Sequence, residues 1–68
     1  MKNTLKVERA KENMTQAELA EKVGVSRQTI NSIEIGKYVP STLLSLKIAK
    51  VFKTRVDDIF ALEERDWN

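Results

Sequence analysis

The sequence predicts an all-α domain built from five short helices. Apolar residues recur at helical spacings of three and four, as in Leu19, Ala20 and Val23 and again in Leu44, Ile48 and Phe52. Residues that cap helix N-termini stand just ahead of the stripes, at Thr15, Ser26, Ser41 and Asp57. Gly24, Gly36 and Pro40 punctuate the intervals.

Leu5, Val7, Ala10 and Met14 give the first helix, over about residues 3–13. Thr15 and Glu18 have the spacing of a capping box and open a second helix, whose buried stripe is Leu19, Ala20 and Val23. Gly24 stands where a left-handed residue ends that helix. Ser26 caps the third helix, with Ile30 and Ile33 inward; Gly36 closes it, and Pro40 prevents its continuation. Ser41 caps a fourth helix running to about Phe52. Its core arc is Leu44, Ile48, Ala49, Val51 and Phe52, with Lys47, Lys50 and Lys53 on the other side. Leu43 falls among those lysines with Leu46 nearby, which hints at a contact surface. Asp57 caps or opens a short fifth helix holding Ile59, Phe60 and Leu62. Residues 1–62 therefore form the domain, and the acidic tail 63–68 is expected to fray unless Trp67 ties it down.

Sixty-eight residues make one small domain. Such a chain buries only ~60% of its unfolded surface and gains from an added staple. With no Cys and no His, disulfides are excluded and the usual zinc and haem sites find no ligands, so self-association is the expected staple. No apolar run approaches the ~20 residues of a membrane span, and no signal-peptide pattern is present, so a cytoplasmic protein is expected. The same inventory, lacking a glycine-rich phosphate loop, leaves little for catalysis. Asp57 and Asp58 read as acids favoured at a helix start, and a non-enzyme without cofactor is expected. The net charge of +2 hides a segregation. Residues 1–55 carry eleven Lys/Arg against five Glu, whereas residues 56–68 carry five acids and only Arg65. A basic body suits an anionic partner such as nucleic acid.

Plotted at about 100° per residue, the third helix places Gln28, Asn31 and Ser32 opposite Ile30 and Ile33, with Arg27 flanking them and Ile35 at the far end. Solvated helix faces usually draw on Glu and Lys, but this one uses Arg, Gln, Asn and Ser. Arg pairs in bidentate fashion with guanine, and Gln or Asn with adenine. Arg27 and Gln28 in the first turn suit a helix that enters the major groove by its N-terminus.

The segment TQAELAEKVGVSRQTINSIEIGK, followed by PS, LKIAKVF and VDDIF, resembles the lambda-repressor-like (Cro-type or XRE-type) helix-turn-helix regulators over about residues 4–62. The resemblance implies a compact five-helix DNA-binding domain with its motif at 16–35, usually dimeric on a near-palindromic operator. It implies base-reading positions at Arg27, Gln28, Asn31 and Ser32, and phosphate contacts from Gln16, Ser26 and Lys37. It also implies a partly buried Arg9–Glu34 ion pair, and a dimer contact around the fifth helix at Val56, Ile59 and Phe60. The chain departs from the family at three places. Ile35 and Leu43 stand where polar residues are frequent, and Lys53 replaces a common helix-closing glycine.

A DNA-binding transcriptional regulator, in its simplest form a repressor, is the function these features predict. The alternative is an antitoxin-type partner that neutralises a toxin and autoregulates its promoter, with the acidic tail and Trp67 as the partner strip.

Overall fold

Thr15, Ser26 and Ser41 start three helices by supplying an acceptor to backbone donors that have no intrahelical partner. Thr15 Oγ1 accepts from Glu18 N at 3.0 Å, while Glu18 Oε1 accepts from Thr15 N at 2.9 Å. Ser26 Oγ accepts from Thr29 N, and Ser41 Oγ from Leu44 N, both at 3.1 Å. In the computed structural model, which describes residues Met1–Asn68, these caps open α2 (Gln16–Val23), α3 (Arg27–Glu34) and α4 (Thr42–Val51). They are flanked by α1 (Leu5–Lys11) and a single-turn α5 (Val56–Ile59).

The first four helices end alike. Asn13, Gly24, Gly36 and Lys53 each take a positive φ. The amide one residue further on bonds back to a carbonyl five residues earlier: Met14 to Arg9, Val25 to Ala20, Lys37 to Ser32 and Thr54 to Ala49, at 2.9–3.0 Å. Lys53 therefore adopts the left-handed conformation usually left to glycine, with φ 53°.

The helices converge on one core. Leu5 of α1, Leu19 of α2, Ile30 and Ile33 of α3, Ile48 of α4 and Ile59 of α5 are fully buried, so every helix contributes at least one such side chain. α2 packs on α3 and α4, and α4 packs on α5.

The chain ends differ from expectation. Lys2–Asn3 (β1) pairs antiparallel with Phe60–Ala61 (β2), adding a two-residue ladder to the helical fold. The first helix consequently starts at Leu5, where Asn3 Oδ1 accepts from Leu5 N at 3.0 Å. Asn3 Nδ2 donates to Ile33 O at 2.9 Å and fastens this end to α3. α5 stops at Ile59 because Phe60 turns extended to meet the ladder. Its start is set by Asp58, whose carboxylate accepts from Arg55 N and Thr54 Oγ1, rather than by Asp57. The tail is ordered as a 3-10 turn over Glu64–Trp67. Trp67 does not tie it down, being 77% exposed. The amino group of Met1 does so, through Glu63 Oε1 at 3.0 Å and Asp66 Oδ2 at 2.9 Å. Those bonds raise the pKa of the amino group, Asp66 contributing most.

Candidate nucleic-acid interface

The buried pair Ile30 and Ile33 fixes the roll of α3 and so decides which side chains reach solvent. Arg27, Gln28 and Asn31 are exposed and Ser32 is half-buried beside them. The outward face thus carries the four polar residues expected of it, with exposed Ile35 at its end. Ser26 is exposed at the helix start, its hydroxyl shared between Thr29 N and Thr29 Oγ1, the latter at 2.9 Å. Lys37 is exposed just past Gly36, its backbone held by Ser32 O while its ammonium stays free of any ion pair.

The one acid of α3 is turned away and neutralised. Arg9 grips Glu34 in bidentate fashion, with Nε donating to Oε2 at 2.6 Å and Nη2 to Oε1 at 3.0 Å. The side chains are 14% and 5% exposed, respectively. Arg9 Nη1 also donates to Met14 O at 2.8 Å. Burial pushes the Glu34 carboxyl up, but hydrogen bonds from Arg9 and Gln16 outweigh it and leave the pKa below its ordinary value. The Glu34 hydrogen bond likewise raises Arg9. The pair leaves the exposed part of α3 without negative charge.

Gln16, at the first position of α2, donates through Nε2 to Glu34 Oε1 and to Asn31 Oδ1, both at 3.1 Å. Both of its side-chain donors are therefore used inside the domain. A phosphate presents only acceptors, so the donor left to Gln16 at this helix start is its backbone N–H.

Ile59 and Phe60, expected at a dimer contact, lie in the protomer's own core at 2% and 6% exposed. Ile59 packs inward from α5, and Phe60, extended to pair with Asn3, joins the same core cluster. Val56 remains half-buried and accessible. It lines a groove of about 330 Å³ with Met1, Val39, Pro40 and Leu46. Val39 and Leu46 are exposed apolar side chains.

A second cleft, of about 520 Å³, runs between α3 and α4. Gln28 and Ser32 share it with Tyr38, Leu43 and Lys47. Tyr38 was not singled out from the sequence, and Lys47 was placed only on the side of the fourth helix away from the core. The available signal was the position of Tyr38 directly after Lys37, in the loop leaving α3.

Two helices joined by the three-residue turn Gly24–Ser26, the second presenting a forked polar face, define a helix-turn-helix protein. The helix-turn-helix family model (HTH_3) matches residues 5–59, and the chain belongs to this family of DNA-binding transcriptional regulators. An uncharacterised HTH-type transcriptional regulator of Methanocaldococcus jannaschii is 58% identical over 64 residues, covering 94% of this chain and 97% of its own length. Similar proteins of the same description occur in Archaeoglobus fulgidus (52% identical over 66 residues, 97% of this chain and 93% of the relative) and in Bacillus subtilis (52% over 66 residues, 97% and 100%). No helix of the chain is long and apolar enough to cross a membrane.

Proposed function

We propose that this chain is a sequence-specific repressor that inserts α3 into the DNA major groove as a homodimer on a near-palindromic operator. The observation that carries the reading is the exposed set Arg27, Gln28 and Asn31 on one side of α3, with the helix's only acid paired to Arg9. Arg27 and Gln28 would meet base edges first, since they open the helix. Ser26, Lys37 and the backbone amide of Gln16 would hold flanking phosphates and set the register. Two copies meeting through Val39, Leu46 and Val56 would bury apolar side chains that one copy leaves in water. Repression then needs only occupancy of a promoter.

Two substitutions separate base contacts from phosphate contacts. Gln28→Ala is expected to cost ~1–3 kcal/mol on the cognate site and to relax preference at one base pair per half-site. Lys37→Ala is expected to weaken all sequences alike and to lower the salt slope by about one unit. Uniform loss from both variants, measured by fluorescence anisotropy on specific and scrambled duplexes, would contradict the division.

A second reading, as the neutralising partner of a toxin, draws on Trp67, which the ordered tail exposes beside its acids. Binding of a basic toxin that vanishes in Trp67→Ala would favour it, and unchanged binding would remove it.

A further inference from the structure

The bond network beneath the reading face fixes which end of one amide points outward. A carboxylate only accepts, so Glu34 Oε1 compels Gln16 to present Nε2 rather than Oε1. The same nitrogen then has one hydrogen left for Asn31, which must answer with Oδ1. Arg9 holds Glu34 ionised and in place through two bonds of its own. Four side chains from α1, α2 and α3 are thus linked, with Arg9 and Gln16 both donating to Glu34 and Gln16 donating onward to Asn31, an exposed amide.

We propose that Gln16 is a positioning residue for sequence readout, turning Asn31 so that its Nδ2 donors face the major groove. This rests on the major-groove reading of α3 proposed above. Without the lock, an exposed Asn can exchange its oxygen and nitrogen ends at little cost. It would then offer an acceptor to cytosine N4 as readily as a donor to guanine O6 and N7 or to thymine O4. With the lock, the Asn31 position prefers a base that presents an acceptor, and cytosine is the disfavoured partner. Gln16 makes this choice without touching a base, and no single stretch of sequence marks the pairing.

The test uses the operator selected by the wild-type chain and its single-base variants, with the base read by Asn31 located by loss of discrimination in Asn31→Ala. Gln16→Met keeps the length of the side chain and removes both donors. It is expected to lower discrimination at that one base about tenfold while leaving discrimination at the other positions unchanged. Gln16→Lys restores donors that Glu34 and Asn31 can accept, and is expected to restore discrimination. Circular dichroism melts check that both variants fold. Equal weakening on every sequence in Gln16→Met, with discrimination retained, would overturn the proposal and leave Gln16 a backbone-positioning residue. Failure of Gln16→Lys to restore discrimination would overturn it as well. A wild-type chain without any sequence preference would overturn both this inference and the reading on which it rests.

Discussion

Among single residues, Glu34 ties α3 to α1 through its pair with Arg9. Removing one member of a buried, hydrogen-bonded pair leaves the other charge desolvated, which typically costs more than the pair itself contributes. Glu34→Ala is therefore expected to lose ~3 kcal/mol in chemical denaturation, and a loss below ~0.5 kcal/mol would mean an idle surface pair. The acid dependence has a definite sign. The folded pKa of Glu34 is depressed, so its contribution is present above the ordinary value of 4.5 and is lost as pH falls through the folded value. Glu34→Gln should flatten part of the acid limb of stability against pH. Glu18, Asp66 and Glu63 are also held low, chiefly by bonds from Thr15 N, Glu63 N and the Met1 amino group, respectively, and act in the same direction. At this scale the sequence was only partly legible. The polarity of the α3 face followed from helical angles alone, and the Arg9–Glu34 pair from family resemblance. The Gln16–Asn31 contact joins two helices across a turn, and neither residue type advertises it.

At the scale of elements, the helices with strong local signals were the ones read correctly. The caps at Thr15, Ser26 and Ser41 sit where their bonds require, and Gly24 and Gly36 end α2 and α3. The errors cluster at the chain ends. The Lys2–Asn3 and Phe60–Ala61 ladder pairs opposite termini over two residues, too short for any alternating pattern to show. That ladder shortens α1 and α5 relative to their periodicity, and Phe60 enters it while remaining in the core with Ile59 of α5. Lys53 shows a competing preference overruled by its surroundings. The Schellman bond from Thr54 N to Ala49 O holds Lys53 left-handed although its Cβ disfavours that conformation. Lys53→Gly should accordingly raise stability by about 1 kcal/mol, visible as a higher denaturation midpoint with unchanged slope. No gain would mean that the extra freedom of glycine in the unfolded chain offsets the relief.

At the scale of the whole molecule, the proposed pairing would bring two copies together through the apolar groove near Val56. One recognition helix covers a few base pairs, and a two-fold partner doubles the site while fixing its spacing. Val56→Glu places a charge in the groove beside Val39 and Leu46 and spares the fully buried Ile59. Analytical ultracentrifugation at micromolar concentration should show that variant as a folded monomer with weak operator binding. A wild type already monomeric there, yet binding tightly, would mean that pairing happens only on DNA. Whether two copies of α3 read successive major grooves is decided by selecting bound duplexes from a random DNA pool with the wild-type protein. Paired reading requires enrichment of two inverted half-sites whose centres lie about 34 Å apart, one helical turn. A pool that emerges without enrichment, or with a single unrepeated half-site, would contradict it.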